Sequence, residues 1–156
     1  MKLGSILALG FFVGVSLLAG FIGSFFTMDS VQTWYTTLNR PSWTPPNWVF
    51  APVWTTLYVL MGTAAYLVSR SKKLGKTLVL WLFLAHLLVN MFWSIAFFSL
   101  HELLLSVIVI VALLGLIIVL MRLFWRYSHL AAYLMVPYLV WVSYATTLSV
   151  GYLFLN

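Results

Sequence analysis

Five long apolar stretches, at roughly 3–27, 47–69, 77–100, 103–125 and 130–155, take up most of this 156-residue chain. Each can cross about 30 Å of hydrocarbon as a helix rising about 1.5 Å per residue. Few folds remain open to such a chain. Lipid offers no partner for an unpaired backbone amide, so a spanning segment must be a helix or part of a closed barrel. Continuous apolar runs of this length are helical. The links between them are short: a basic segment around Gly75, then His101-Glu102, then Arg126-Tyr127-Ser128-His129. Short links make sequential helices antiparallel neighbours. The expectation is an all-α integral membrane bundle of five transmembrane helices, one domain over 1–156. No internal repeat is visible, and no length is left for a separate soluble domain.

Composition supports the bilayer as solvent, with 64% of residues hydrophobic and only 6% charged. The absence of cysteine excludes disulfides, thiolate-bound metals, iron–sulfur clusters and covalent c-type haem. A net charge of +6 invites a nucleic-acid reading, but among so few charges it reports membrane orientation instead. With five spans, the N-terminus and the links after the second and fourth share one side. That side holds Lys2, Arg70, Lys72, Lys73, Lys76, Arg122 and Arg126, whereas the other has Arg40 beside Asp29 and Glu102. The expectation is a multi-pass protein of the cell membrane, N-terminus cytoplasmic and C-terminus outside. The first stretch, headed by Lys2, is too long for a signal peptide, whose apolar region runs about 7–15 residues. It is expected to remain as a span.

The second distinctive feature is the segment WYTTLNRPSWTPPNWVFAPVW, from Trp34 to Trp54. It holds four of the eight tryptophans and four of the five prolines. Proline fixes the backbone and forbids ordinary helix through Pro45-Pro46. Residues 28–46 therefore read as a stiff lid. Asp29 and Gln32 have capping-box spacing, which predicts a short helix running to about Leu38. Tyr35 would ride on it, tethered by Pro41–Pro46.

Helical spacing brings three spans together beneath this lid. Trp54 lies about 10 Å inside the second span, with Tyr58 one turn deeper. Asn90 lies about 15 Å down the third, with Trp93 and Phe97 on the same face. The fifth presents Pro137, Trp141, Ala145 and Leu148 on one face, Ala145 at about the depth of Asn90. Tryptophan and tyrosine also gather at bilayer interfaces without any ligand, which accounts for Trp48, Trp81, Trp125 and Tyr127. Asn90 reads equally as an amide joining helices or as a ligand contact. His86, one turn from Asn90, is an intramembrane ionisable group. Without a second histidine at its depth, a neutral imidazole bonded to a neighbouring helix is preferred to haem ligation. Gly10-x-x-x-Gly14 permits close helix packing, within the chain or between copies.

No enzyme constellation is visible. Asp29 and Glu102 flank helix ends, and there is no carboxylate pair, Ser–His–Asp set, metal cluster or phosphate-cradling glycine loop.

The segment from Trp34 to Tyr58, WYTTLNRPSWTPPNWVFAPVWTTLY, resembles the translocator protein, or tryptophan-rich sensory protein, family, also called the peripheral-type benzodiazepine receptor. The likeness continues through Asn90, Trp93, Ser94 and Phe97 of NMFWSIAFF and through PYLVWVSYATTL, Pro137 to Leu148, and covers nearly the whole chain. The resemblance implies a bacterial-type member: a five-helix bundle, often a homodimer, with a cavity closed by the first loop. It implies binding of tetrapyrroles such as protoporphyrin IX, and of isoquinoline carboxamide or benzodiazepine-type drugs. The family's pocket residues fall on Tyr35, Trp54, Asn90, Trp141 and Ala145, with Pro45, Pro46, Trp48, Phe50, Tyr58, Trp93, Phe97 and Leu148 around them. One departure concerns sterols. The cholesterol motif of animal members needs a basic residue after a tyrosine, and Tyr152 is followed only by Leu153, Phe154, Leu155 and Asn156. Leu148-Ser149 also replaces the usual Leu-Asn.

The resemblance implies a membrane protein binding protoporphyrin IX and promoting its light-dependent oxidative degradation, with a role in stress signalling. Trp54 and Trp141 are the expected redox-active residues, and no resident cofactor or metal is required; the porphyrin is ligand or substrate. Arg40 at the mouth could pair with a propionate or stay solvated. The alternative is a transporter of porphyrins or sterols, although inverted repeats and broken midplane helices are missing.

Overall fold

The structure is a computed structural model that describes residues 3–156. Lys2, counted above for orientation, lies outside that range. The described residues form helices joined by loops, with no strand among them, and five helical segments are long and apolar enough to cross a membrane. Helix α1 spans Leu3–Phe25, and a short α2 spans Met28–Gln32. Single 3-10 turns follow at Trp34–Thr36 and Asn47–Val49. Then come α3 (Phe50–Ser69), α4 (Lys76–Ser94), α5 (Leu103–Tyr127), α6 (His129–Leu134) and α7 (Val136–Leu155).

Three local departures from the sequence expectation have clear causes. The lid helix stops at Gln32, and Thr27 occupies its N-cap without a side-chain bond, so the Asp29–Gln32 capping box does not form. The fifth apolar stretch is two helices rather than one. Pro137 has no amide hydrogen for the preceding turn, and the chain restarts at Val136 after α6, which Ser128 caps by accepting from the Ala131 amide at 3.3 Å. The third stretch ends in a π turn over Ile95–Ser99, closed by Leu100 N–H donating to the Ile95 carbonyl at 2.9 Å. Such turns recur at functional sites. Here the wider turn brings consecutive Phe97 and Phe98 into ring contact, centroids 4.7 Å apart, with Phe97 in the core and Phe98 on a cavity wall.

The helices pack as a ring, α1–α3–α6/α7–α5–α4, with α4 returning to α1. Its core is built by Met61, Ala64, Ala65 and Val68 of α3, Phe83 of α4, Leu113, Ile117, Leu120 and Phe124 of α5, and Met135 and Tyr138 of the last stretch. Helix α1 buries only Ser5, Ser16 and Gly23. Its grip on α3 depends on glycine. A methyl group at Gly62 would lie 2.5 Å from the Val13 Cα, so the two backbones touch directly. Gly10 and Gly14 do the opposite: nothing lies within 4 Å of either site. Packing within the chain therefore does not explain that motif.

Candidate functional site

The bundle separates beneath the lid and encloses a cavity of about 700 Å³. That volume is typical of a small-molecule site. Its walls come from α1, α3, α4 and the lid. Tyr35, Phe50, Trp54, Tyr58, Asn90 and Trp93 all line it. Opposite them lies a face of α1 that helical spacing alone did not single out, formed by Leu17, Gly20, Phe21, Gly23 and Ser24. Its signal was present: small residues on one side of a helix allow a neighbouring aromatic to approach. The Tyr58 ring occupies the space that any side chain at position 20 would need, so Gly20 is what admits it. Rim residues Phe21, Ala51 and Thr55 are exposed, so the cavity opens between α1 and α3 on the flank that meets lipid.

Aromatic contacts converge on Trp54. Its ring stacks on Tyr58 at 5.6 Å and 29°, tilts against Trp93 at 6.2 Å, and meets Tyr138 edge to face at 6.2 Å. Below this cluster four polar side chains form one buried chain of hydrogen bonds. The Tyr58 hydroxyl donates to Asn90 Oδ1 at 2.6 Å, and Asn90 Nδ2 donates to the Tyr138 oxygen at 3.0 Å. His86 Nδ1 lies 3.2 Å from the Phe83 carbonyl, which can only accept, so Nδ1 carries the hydrogen. Nε2 then accepts from Tyr138 at 2.9 Å. Asn90 thus joins α3, α4 and α7 while still facing the cavity. His86 is fully buried and bonded to a neighbouring helix, the arrangement preferred above to haem ligation. The described residues include no group of three or more His, Cys, Asp or Glu side chains placed to hold a metal ion.

Several residues expected around the ligand lie elsewhere. Trp141 faces a second, open groove across α3, lined by Pro52, Val53, Leu57, Pro137 and Val140, and approaches the main cavity only through Phe50 at 5.8 Å. The reason is rotational: α7 presents Tyr138 rather than Trp141 to Trp54. Ala145 is packed in the core instead of leaving a gap. Phe97 and Leu148 join Tyr35 and Tyr152 in a separate cluster under the lid. Trp48 is 75% exposed, and neither Pro45 nor Pro46 reaches the cavity wall. The prolines shape the lid from outside.

The lid is fastened mainly to α7. Tyr152 donates to the Tyr35 hydroxyl at 2.7 Å, and Tyr144 donates to the Trp43 carbonyl. Asn156 accepts from the Asn39 amide at 2.8 Å and donates to its carbonyl at 3.1 Å. A second fastening runs to the π turn that follows α4, where Ser30 donates to the Phe98 carbonyl and Ser99 to that of Phe26. Burial, and then the bond from Tyr152, push the Tyr35 phenol above its ordinary pKa range. It stays neutral. Arg40 lies over the same ring, 5.0 Å from its centroid. His101, in the link before α5, and His129, at the start of α6, are exposed and stack on Trp34 and Trp125, both at 4.2 Å.

Fold and site together define a class: a multi-pass helical membrane protein with an aromatic-walled cavity beneath a proline-stiffened lid. The sequence matches the TspO/MBR family over residues 12–155, and the chain belongs to that family. It is 42% identical over 153 residues to the tryptophan-rich protein TspO of Chlorobaculum tepidum, covering 97% of both chains. Identity to the tryptophan-rich protein TspO of Archaeoglobus fulgidus is 40% over 141 residues, 90% of this chain and 91% of that one. The human translocator protein is 37% identical over 147 residues, 91% of this chain and 85% of the relative.

Proposed function

We propose that the protein binds a flat, largely apolar tetrapyrrole, protoporphyrin IX or a close relative, in the cavity beside Trp54, and promotes its light-driven oxidation. The observation that carries this reading is the aromatic wall of Trp54, Tyr58 and Trp93, with indole and phenol faces available for stacking. The opening between α1 and α3 suits a ligand dissolved in lipid. No charged side chain lines the cavity, and Arg40, over the ring of the cavity-lining Tyr35, is the candidate to meet a propionate at the mouth. The same walls would accept isoquinoline carboxamide or benzodiazepine-type ligands.

A bound tetrapyrrole supplies absorption of light. Trp54 then acts as the one-electron donor in contact with it. Dioxygen dissolved in the bilayer takes that electron from the reduced tetrapyrrole and is the oxidant that attacks the ring, and the closed lid limits access of water. Trp141, separated from the cavity by Phe50, takes no part in that first step. The alternative, transport of porphyrins or sterols, is less well supported, because the buried layer of Tyr58, Asn90, Tyr138 and His86 closes the cavity at depth. The orientation proposed from charge puts the lid on the outer face, and the open face of α1 at Gly10 and Gly14 is compatible with a homodimer.

Titration of protoporphyrin IX into detergent-solubilised protein, first in darkness and then in light, tests the reading. Saturable quenching of tryptophan fluorescence in the dark, followed by loss of porphyrin absorbance in light that Trp54→Phe slows, is the expected result. Quenching without saturation would remove the binding claim. Equal photobleaching by wild type and Trp54→Phe would remove the chemistry.

A further inference from the structure

Two tyrosines touch the Trp54 ring, and their hydroxyls have different partners. Tyr58 stacks on the indole, but its O–H donates to the side-chain oxygen of Asn90, an amide that is a very poor base. Tyr138 meets the indole by its edge, and its O–H donates to His86 Nε2, an imidazole nitrogen with a free lone pair. A phenol gives up an electron readily only if its proton leaves at the same time, because the protonated radical cation is a very strong acid. Of the two, only Tyr138 has somewhere to send that proton.

We propose that Tyr138 and His86 form a proton-coupled electron donor that refills Trp54 after its oxidation. A light-excited electron acceptor in the cavity takes one electron from Trp54, leaving an indole radical cation. Tyr138 passes one electron to that indole across the ring contact, and its hydroxyl proton moves 2.9 Å along the hydrogen bond to His86 Nε2. The products are neutral Trp54, a Tyr138 phenoxyl radical and a His86 imidazolium, so the total charge is unchanged. When the reduced acceptor returns its electron, the proton goes back from Nε2 to the phenol oxygen. Asn90 Nδ2 donates to that oxygen throughout, at 3.0 Å, and stabilises it once its own hydrogen has left. His86 Nδ1 remains bonded to the Phe83 carbonyl, which holds the ring in place and supports the positive charge. His86 is a positioning residue and proton acceptor here, and does not touch the ligand.

Other indole–phenol contacts lack this arrangement: Tyr133, beside Trp125, is exposed and makes no hydrogen bond to an imidazole. Tyr144, beside Trp141, donates to the Trp43 carbonyl, which is not a base. The buried layer is therefore more than glue between helices. It is a sink that removes the oxidising equivalent from the cavity wall before the indole is destroyed.

The light-excited acceptor rests on the proposed function, but the experiment does not need it. Purified protein without tetrapyrrole is flash-photolysed in the ultraviolet to photoionise tryptophan, with a soluble cobalt(III) ammine as electron acceptor. Tyrosyl radical is followed by its optical absorption and by its electron paramagnetic resonance signature. Wild type is expected to give a tyrosyl signal that Trp54→Phe and Tyr138→Phe lose and Tyr58→Phe keeps. His86→Gln retains an acceptor for the Tyr138 hydroxyl without a basic nitrogen, and its tyrosyl formation should slow by at least about tenfold. Formation in wild type should also slow in deuterated solvent, a readout that needs no variant to fold. A signal that survives Tyr138→Phe, an undiminished rate in His86→Gln, or no solvent isotope effect overturns the proposal. Failure of this test leaves tetrapyrrole binding standing, and failure of porphyrin titration leaves this test intact.

Discussion

Replacing Gly62 by alanine tests the contact that positions the α1 wall of the cavity. The added methyl would stand 2.5 Å from the Val13 Cα, 2.7 Å from the Phe12 carbonyl oxygen and 2.8 Å from the Val13 amide nitrogen. All three are backbone atoms, so no rotamer change can relieve them. Carbon atoms pack comfortably at about 3.5–4.0 Å, and α1 must therefore retreat from α3 by about 1 Å or more. Overpacking of this kind costs about 1–3 kcal/mol. At about 2–4 °C of melting temperature per kcal/mol for a chain of this size, the loss is readable in detergent by circular dichroism or a fluorescence melt. The retreat should also widen the cavity between Tyr58 and Gly20 and weaken ligand binding. Gly115→Ala is the internal control: nothing lies within 4 Å, it is exposed on α5 away from the open face of α1, and alanine is the better helix former by about 1 kcal/mol, so it should be neutral or slightly stabilising. If Gly62→Ala melts with wild type, or Gly115→Ala is the worse of the two, the glycine-dependent packing of α1 on α3 is refuted.

Other expectations follow from the same contacts. Asn90→Leu strips the Tyr58 hydroxyl of its acceptor and the Tyr138 oxygen of a donor, and should cost about 1–3 kcal/mol in thermal or denaturant unfolding. Gly23→Leu starts from ordinary contact with Ser94 at 3.7 Å but extends a branched chain beside the cavity; it should keep the fold and lose saturable porphyrin quenching. Asn156→Ala removes the paired bonds to Asn39, each worth about 0.5–1.5 kcal/mol, and should raise hydrogen exchange of amides around Asn39 and Trp43 while the bundle stays protected.

Apolar run length was enough to establish five helices, because backbone satisfaction in lipid allows no other solution for such runs. Short links did not fix their neighbours, since α3 and α4, joined around Gly75, are not adjacent in the ring. Local steric rules likewise put a stiff, aromatic lid between the first two spans: Pro41, Pro45 and Pro46 leave no long helix to form before Asn47. Helical spacing also brought Trp54, Tyr58, Asn90 and Trp93 to a common layer. It could not choose which face of α7 met them. That choice depends on how the helix rotates when Tyr138 finds His86 and Asn90, a gain made only when α3, α4 and α7 are already together. Depth alone places Trp141 and Ala145 at the cavity, and rotation carries them elsewhere. The α1 wall was hidden for a similar reason. Glycine and serine register in sequence only as an absence of bulk, and an absence becomes a binding surface only when a neighbour such as Tyr58 closes on it.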